Sequence, residues 1–378
     1  MSDNGGMSEV ATNANTRPTR QLSDAGVSIW LDDLSRQRLV SGSLAELVAD
    51  KDVVGVTTNP TIFAAALSGS DAYSGELAEL AKMGVDTESA VEKLTTEDVR
   101  AAAKVLRPVY DATNGVDGFV SIEVDPRLSR DTKGTITMAH RLFETIDEPN
   151  VMIKIPATLE GLPAITKVLG SGISVNVTLI FSIARYRQVM QAFIDGLKLA
   201  AENGHDVSKI SSVASFFVSR VDTAIDPILA EHPELQGKAA VANAVLAYDE
   251  YRKVFENPSN SDWAELKELG ARPQRPLWAS TGVKNPSYSD TLYVTDLVAP
   301  GVVNTMPEGT LNAVADHGVI TGDTVTGAVA AADQTMRDLA AAGVDINKVT
   351  TDLETEGLHK FEVSWQELLE TVAKGLAR

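Results

Sequence analysis

Residues 151–155 read Val-Met-Ile-Lys-Ile, a short run of mostly apolar and β-branched residues interrupted by a single lysine. Such a run is typical of a strand buried on both faces in a parallel sheet. Seven other runs have the same character and are each followed by polar residues, Gly or Pro: Val27–Leu31, Val53–Val56, Phe119–Ile122, Ile173–Phe181, Ile210–Val218, Leu277–Ala279 and Gly301–Val303. The chain therefore contains eight candidate strands.

Helical patterns alternate with these strands. They cover Leu44–Asp50, Ala72–Met83, Thr95–Thr113, Thr135–Thr145, Leu162–Leu169, Ile183–Asn203, Ala239–Phe255 and Thr324–Ala342. Eight strands separated by helices favour an α/β fold of the (β/α)8 TIM barrel type, with a doubly wound open sheet as the alternative. No G-x-G-x-x-G follows the first strand, so a dinucleotide-binding variant of the open sheet is not expected.

We predict one barrel domain over residues 25–378, with a C-terminal helix. Two long connections, Leu67–Asp117 and Arg220–Arg275, are expected to hold extra helices, including one over Trp263–Leu269. Residues 1–24 are rich in Asn, Ser, Thr and Gly, which predicts a disordered tail. The tail leaves open whether translation starts at Met1 or Met7.

Composition excludes several classes of protein. The 378 residues include 52 acidic and 33 basic side chains, and the resulting net charge of −19 disfavours binding to nucleic acids or anionic membranes. The absence of cysteine excludes disulfides and thiolate metal sites, and the five histidines show no metal-ligand spacing. The sequence therefore predicts no metal and no cofactor, and a cytoplasmic location.

Polar side chains lie in or directly after seven of the eight apolar runs. They are Asp32, Asn59, Glu123, Lys154, Asn176, Thr178, Ser215 and Ser280. In a parallel barrel the C-terminal ends of all strands open onto one mouth, where functional residues of such barrels lie. These side chains are therefore expected to converge.

Lys154 is the strongest candidate for chemistry. A buried ammonium is costly unless it is paired, and desolvation or nearby cations lower the pKa of an amine. Such an amine can act as a base or form a Schiff base with a carbonyl substrate. The alternatives are a lysine that reaches solvent from a strand end and a structural ion pair with Glu123 or Asp32.

Three further residues each have a catalytic and a structural interpretation. Asp32 and Glu123 could transfer protons in a Schiff-base reaction, or could keep Lys154 charged, and Asp32 could instead cap the helix after it. The roles of Asp32 and Glu123 could coexist. Asn59 could cap a helix that starts at Pro60 or could equally orient substrate hydroxyls.

Arg220, Ser280 and Lys284 follow the sixth and seventh runs, where barrels often bind phosphate. A guanidinium can hold a phosphate with two hydrogen bonds, and a lysine adds a point charge. Alternatively, Arg220 pairs with Asp222 or Asp226 on the surface, and Lys284 lies in an exposed loop.

Nine motifs, in order and spacing, resemble those of the transaldolase family. They are Ser28–Ser35 (SIWLDDLS), Val56–Pro60 (VTTNP), Val120–Asp125 (VSIEVD), Ile153–Pro156 (IKIP), Asn176–Ser182 (NVTLIFS), Ala214–Arg220 (ASFFVSR), Ala279–Lys284 (ASTGVK), Val303–Thr310 (VNTMPEGT) and Glu356–Phe361 (EGLHKF). The resemblance runs from Val27 to the C-terminus, and the long connections are similar to those of the larger bacterial subfamily.

The resemblance implies a metal-free barrel that transfers a dihydroxyacetone unit from sedoheptulose 7-phosphate to glyceraldehyde 3-phosphate in the non-oxidative pentose phosphate pathway. It would act as a monomer or homodimer. The resemblance implies a role for each matching residue. Lys154 would form the Schiff base, Asp32 would be the general acid/base, and Glu123 and Thr178 would hold a catalytic water. Asn59, Asn176 and Ser215 would contact hydroxyls, Phe217 would lie beside the site, and Arg220 and Ser280 would bind phosphate.

One position departs from the family pattern. The family commonly has a second arginine two residues after the serine that matches Ser280, whereas this chain has Gly282, and Lys284 is the nearest cation. Two other functions stay open at this point. One is a fructose-6-phosphate aldolase, which releases free dihydroxyacetone, and the other is a non-catalytic barrel that binds sugar phosphates.

Overall fold

The computed structural model of the protein describes residues 16–377. Its eight parallel strands pair in chain order, and β1 also pairs with β8, so the sheet closes into a barrel. The predicted (β/α)8 barrel is confirmed, and the open-sheet alternative is wrong because the sheet has no edge.

All eight predicted runs contain or adjoin a strand. The strands are β1 (Ser28–Leu31), β2 (Val53–Val56), β3 (Phe119–Glu123), β4 (Val151–Pro156), β5 (Val175–Ile180), β6 (Ser212–Phe217), β7 (Arg275–Ala279) and β8 (Val303–Met306). The eighth predicted run, Gly301–Val303, was misplaced, because it overlaps β8 only at Val303, the first residue of the strand. The polar pair Asn304 and Thr305 interrupts the apolar pattern, yet both side chains are buried and hydrogen-bonded in the barrel.

Sixteen α-helices lie within residues 16–377. They are α1 (Pro18–Asp24), α2 (Arg36–Ser41), α3 (Ser43–Asp50), α4 (Pro60–Ser68), α5 (Ser74–Lys82), α6 (Thr87–Ala112), α7 (Thr132–Ile146), α8 (Gly161–Gly170), α9 (Ile183–Glu202), α10 (Ser219–Ile225), α11 (Ala239–Phe255), α12 (Ser261–Glu268), α13 (Leu292–Thr295), α14 (Glu308–His317), α15 (Val329–Ala341) and α16 (Ile346–Leu376). In the part of the chain that the structure describes, none of the helices has the length and apolar character needed to cross a membrane.

The helix predictions were partly right. The two long connections hold extra helices as expected, but α6 begins at Thr87, earlier than the predicted Thr95, because Asp86 caps its first turn by accepting a hydrogen bond from the Ser89 amide. The predicted disordered tail extends too far, since Pro18–Asp24 forms α1. Residues 1–15 of that tail lie outside the described residues.

Helix α16 crosses the C-terminal mouth of the barrel. It packs against α4, α5, α6, α10 and β5. A Cβ atom at Gly357 would lie 3.0 Å from Leu179 Cδ2 and 3.5 Å from Arg220 Nη1, so a residue without a side chain lets α16 approach these groups closely. The C-terminal helix thereby becomes part of the wall of the mouth.

Inside the barrel, Trp30 on β1 packs directly against Gly55 on β2. The Trp30 side chain is fully buried, and its indole nitrogen donates a hydrogen bond of 3.1 Å to Asp117 Oδ1. A Cβ atom at Gly55 would lie 2.4 Å from the indole ring. Since interiors are close-packed, Gly55 is required for steric reasons at this point.

We therefore expect Gly55→Ala to lower the free energy of unfolding by about 1–3 kcal/mol or more, the usual effect of overpacking a core. Urea unfolding followed by circular dichroism measures the change. Gly75→Ala is the matched control, because nothing lies within 4 Å of a Cβ at this position in α5. That variant should be neutral or slightly more stable, since Ala favours helix over Gly by about 0.5–1 kcal/mol. Equal stability of the two variants would contradict the proposed packing constraint.

Candidate active site

The C-terminal ends of the strands surround a cavity of about 110 Å³. Eight of the eleven site residues predicted from the sequence line it: Asp32, Asn59, Lys154, Ser215, Phe217, Arg220, Ser280 and Lys284. The other three, Glu123, Asn176 and Thr178, lie on strands β3 and β5 on either side of β4, which carries Lys154. The sequence thus identified a single convergent site.

Lys154 is held between two neighbouring strands. In the sheet register it lies beside Glu123 on one side and Asn176 on the other. Its side chain is 5% exposed, and Nζ donates a hydrogen bond of 3.0 Å to the Thr58 carbonyl oxygen. The alternative of a lysine that reaches solvent is therefore wrong, whereas the predicted ion pair with Glu123 is present at 3.5 Å from Nζ to Oε2.

The Glu123 carboxylate is unusually placed for a charged group. Its side chain is buried, and within residues 16–377 neither oxygen has a hydrogen-bond partner. Burial raises its pKa to about 7, which outweighs the lowering by the charge of Lys154. A carboxyl group with this pKa can accept or donate a proton near neutral pH.

Thr178 provides a second unsatisfied polar group on β5. Its side chain is fully buried, and the hydroxyl oxygen has no hydrogen-bond partner in the described part of the chain. The next residue, Leu179, has φ +58°, a left-handed conformation that is costly for a branched side chain. Buried polar groups without partners mark places where water or a ligand is needed.

Asp32 projects into the cavity from the end of β1. Its Oδ1 accepts a hydrogen bond of 2.7 Å from the Thr57 hydroxyl, which also lies 2.6 Å from the Thr305 hydroxyl. Burial raises the pKa of Asp32, and Lys154 opposes this shift. The alternative that Asp32 caps the following helix is wrong, because Ser35 caps α2.

Asn59 performs the structural function that the sequence predicted. Its side-chain oxygen accepts a hydrogen bond of 3.0 Å from the Ile62 amide and so caps α4, which starts at Pro60. The same side chain lines the cavity. The capping bond fixes the orientation of Asn59, so that its amide group is held at the mouth.

Asn176 and Ser215 form a buried pair on β5 and β6. The Ser215 hydroxyl donates to Asn176 Oδ1 at 2.7 Å, and Asn176 Nδ2 donates to the Ser121 hydroxyl at 3.0 Å. Ser215 lines the cavity, whereas Asn176 lies behind it. The chain of bonds therefore sets the direction of the Ser215 hydroxyl.

Arg220 lines the same cavity as Lys154 and Asp32. Its guanidinium carbon is 5.2 Å from the centre of the Phe217 ring, and within residues 16–377 the buried Nη1 has no hydrogen-bond partner. Burial lowers the pKa of Arg220, while Glu356 and Asp32 oppose the shift. A partly desolvated guanidinium with an unused donor fits an anionic ligand.

The predicted surface pairing of Arg220 with Asp222 or Asp226 is wrong. Asp222 accepts a hydrogen bond from the Tyr293 hydroxyl, and Asp226 accepts one from the Tyr288 hydroxyl.

Ser280 and Lys284 bring two more polar groups to the same cavity. Ser280 has φ +55°, and its hydroxyl lies 2.9 Å from that of Ser219, the residue before Arg220. Lys284 is exposed on the loop after β7, but its Nζ lies 3.8 Å from the point where a Cβ on Gly282 would be. The lysine therefore reaches back over the position at which the family commonly has an arginine.

Sequence reasoning missed several residues of the wall. Thr57, Thr305, Pro307 and Phe361 all line the cavity, and the Phe361 ring centre lies 5.7 Å from Lys154 Nζ. Thr57 lies two residues before Asn59 in the motif Val56–Pro60, so this motif could have identified Thr57 as a site residue. Nothing in the pattern of α16 distinguishes Phe361 from an ordinary core residue.

Among residues 16–377, no three or more His, Asp or Glu side chains form a group that could hold a metal ion. The charged groups that line the cavity are instead Asp32, Lys154, Arg220 and Lys284, and Glu123 lies beside Lys154. A site of this kind can form a covalent bond with a carbonyl carbon and also hold an anionic group.

Comparisons with known proteins agree with this geometry. The family model described as transaldolase/fructose-6-phosphate aldolase matches residues 29–372. A transaldolase of Thermobifida fusca is 60% identical over 95% of this chain and 98% of its own length. A protein of Streptomyces avermitilis named transaldolase 1 is 60% identical over 94% of this chain and 95% of its own. A transaldolase of Mycolicibacterium smegmatis is 59% identical over 92% and 95%. The chain therefore belongs to the transaldolase/fructose-6-phosphate aldolase family.

Proposed function

We propose that this protein is a transaldolase that transfers a dihydroxyacetone unit from sedoheptulose 7-phosphate to glyceraldehyde 3-phosphate through a Schiff base on Lys154. The observation that carries the proposal is the buried Lys154 amine, 3.5 Å from Glu123, in a cavity that Arg220 also lines. The relatives named transaldolase, which are 60% identical over 94–95% of this chain, support the same activity.

In the first step, Lys154 Nζ attacks the C2 carbonyl carbon of the ketose, and the resulting carbinolamine loses water to give an imine. A proton must reach the departing hydroxyl and another must leave the nitrogen. Glu123 supplies this proton transfer through a water molecule bound between its carboxylate and the Thr178 hydroxyl. Both groups are buried without partners in the described residues, which supports a water in this place.

In the second step, the bond between C3 and C4 breaks, and its electron pair moves into the iminium group to give an enamine. Asp32 accepts the proton of the C4 hydroxyl, so that the aldose leaves as an aldehyde. Its raised pKa suits a group that takes a proton and later returns it to the acceptor. Reversal of these steps with the acceptor aldehyde, followed by hydrolysis of the imine, releases the product.

The remaining residues position the substrate. Asn59 and Ser215 hold the hydroxyls of the dihydroxyacetone unit, and Asn176 supports Ser215. Phe217 packs beside the site. Arg220, Ser280 and Lys284 bind the phosphate, and these local cations offset the repulsion that a protein of net charge −19 exerts on an anionic substrate.

A fructose-6-phosphate aldolase is the closest competing function, since the family model names both activities. The relatives that match nearly the full length are named transaldolase, which favours transfer over release of free dihydroxyacetone. A non-catalytic sugar-phosphate binder would keep Arg220 but would have no need for a lysine inside a buried strand. A cytoplasmic location and a monomeric or dimeric state stay predictions from the sequence.

We expect Lys154→Arg to abolish transfer while the protein still binds phosphate, because a guanidinium stays protonated and cannot form an imine. The measurement is borohydride reduction with fructose 6-phosphate followed by peptide mass mapping. The wild type should carry a dihydroxyacetone adduct on Lys154 and the variant none. Turnover within about tenfold of wild type, a difference of only ~1.4 kcal/mol, would exclude Lys154 as the nucleophile.

An assay of transfer from fructose 6-phosphate, together with the borohydride trapping, separates the competing functions. Transfer to erythrose 4-phosphate without accumulation of free dihydroxyacetone supports a transaldolase, and its release at the rate of ketose consumption supports the aldolase. Absence of any adduct in the wild type would support a binder.

The raised pKa of Glu123 predicts a pH dependence of kcat. The carboxylate form is present above about pH 7 and is lost as the pH falls through that value, so the rate of transfer should fall with it. Glu123→Gln should lower kcat by about 10²–10⁴ and remove this inflection. The facing titratable groups are Lys154 and Asp32. An inflection that persists in Glu123→Gln would assign it to one of these groups and contradict the role of Glu123.

Arg220→Ala and Lys284→Ala should both weaken binding of phosphorylated substrates. A hydrogen bond to a charged group contributes about 1.5–3 kcal/mol, so kcat/KM for fructose 6-phosphate should fall at least about tenfold, and more for Arg220 than for the exposed Lys284. Activity with unphosphorylated dihydroxyacetone as donor should change far less. An unchanged phosphate preference in Lys284→Ala would leave only Arg220 and Ser280 as phosphate ligands.

A further inference from the structure

Two tyrosine–aspartate hydrogen bonds join the segment after β7 to the segment after β6. The Tyr288 hydroxyl donates to Asp226 Oδ2 at 2.6 Å, and the Tyr293 hydroxyl donates to Asp222 Oδ2 at 2.7 Å. The aspartates lie on and just after α10, which also carries Arg220. The tyrosines therefore connect the two segments that hold the proposed phosphate ligands.

Both aspartates are fixed from a second side. Asp226 Oδ1 accepts a hydrogen bond of 2.9 Å from the Gly237 amide, and Asp222 Oδ1 accepts one of 2.8 Å from the Ala240 amide. Each carboxylate is thus held by the backbone around the start of α11. The aspartates are therefore defined acceptors, and a tyrosine that donates to one of them becomes attached to the body of the barrel.

The Tyr288 ring also fits closely against the backbone. A Cβ at Gly237 would lie 2.7 Å from Tyr288 Cζ, and Gly237 has φ +70°, so only glycine suits this turn and this contact. Ring packing and the hydroxyl bond independently hold Tyr288 against the segment 226–237.

Lys284 lies between two attached parts of its loop, residues 280–281 and Tyr288. The buried Thr281 hydroxyl donates a hydrogen bond of 2.9 Å to the Thr305 carbonyl oxygen. At one end the Ser219 amide donates to the Ser280 carbonyl oxygen at 3.0 Å, beside the contact between the two serine hydroxyls. At the other end stands Tyr288. The Asn285 side chain and carbonyl accept from the Ser287 and Tyr288 amides, and these bonds shape the loop without attaching it to the barrel. The direction of Lys284 thus depends on the position of Tyr288.

We propose that Tyr288 is a positioning residue, whose hydrogen bond to Asp226 holds the exposed Lys284 over Gly282 so that it and Arg220 engage the substrate phosphate together. This inference rests on the proposed function of the site. It also explains how a lysine on a loop can replace an arginine that lies nearer to the strand, because the loop is fastened at both ends. Tyr293 differs, since it lies in α13 beyond the loop, and its carbonyl oxygen accepts from Asn304 Nδ2 at 3.0 Å.

A double-mutant cycle on Tyr288 and Lys284 tests the proposal. The measured quantities are the inhibition constant of inorganic phosphate and the KM for fructose 6-phosphate. The readout of chemistry is kcat for addition of dihydroxyacetone to glyceraldehyde, because neither compound carries a phosphate. Tyr288→Phe should raise the first two by about three- to tenfold, the range of coupling between residues that act together, and leave the third unchanged. In the Lys284→Ala background the same substitution should have no further effect.

Tyr293→Phe is the matched control, because it deletes the same hydroxyl from the neighbouring bond. It should lower the free energy of unfolding without changing inhibition by phosphate. Asp226→Ala removes the acceptor of the Tyr288 bond and should reproduce the effect of Tyr288→Phe. If Tyr288→Phe does not fold, the cycle with Asp226→Ala decides.

Three results would overturn the inference. Additive effects of Tyr288→Phe and Lys284→Ala would show that Tyr288 does not act through Lys284. Equal loss of phosphate inhibition in Tyr293→Phe would indicate general loosening of the segment. Unchanged inhibition in Lys284→Ala would remove Lys284 as a ligand and the inference with it. The proposed transaldolase activity fails separately, through the absence of an adduct on Lys154.

Discussion

The buried pair of Lys154 and Glu123 is the interaction on which the rest of the site depends. An ion in a protein interior loses hydration that costs several kcal/mol, and attraction between the two charges offsets this only partly. This desolvation cost arises inside the barrel, where the register sets Glu123 beside Lys154 on adjacent strands. The cost is reflected in the pKa of Glu123, which rises to about 7 despite the neighbouring ammonium. The same burial that destabilises the charges makes proton transfer near neutral pH possible.

The surroundings of this pair separate two tasks. In the proposed mechanism, Thr178, Asp32 and the Lys154 amine serve covalent chemistry and proton transfer, and Arg220 holds the phosphate. Helix α16 closes the space between them, with Phe361 near the amine and Gly357 against the guanidinium.

Several residues of the mouth combine a structural and a chemical role. Asn59 caps α4 and lines the cavity, and Ser280 links two strand ends while it faces the proposed phosphate position. Leu179 and Ser280 have left-handed backbone conformations, each of which costs about 1–3 kcal/mol, directly beside groups that the reaction needs. The surrounding barrel holds these conformations, and the fixed directions of Thr178 and Ser280 follow from it.

The sequence by itself determined the barrel and most of the polar side chains that converge at its mouth. Strands covered on both faces need continuous apolar runs, so that a lysine at position 154 and carboxylates at positions 32 and 123 stood out against them. The polar residues Asn304 and Thr305 interrupt the apolar pattern although they are buried in β8, which is why the prediction for this strand ended too early. The start of α6 was missed because its cap, Asp86, precedes a polar first turn.

Tertiary structure alone decided what closes the site and how its cations are aimed. Phe361 lies over 200 residues after Lys154 along the chain, and only the packing of α16 across the mouth brings the two together. Asp222 and Asp226 are close to Arg220 in the sequence, which suggests that they pair with it. In the structure they accept hydrogen bonds from Tyr293 and Tyr288, which follow β7, so the guanidinium is available for a ligand. Local patterns report which residues are buried along one element. The partners of a buried polar group come from other elements, so they are set only when the barrel closes.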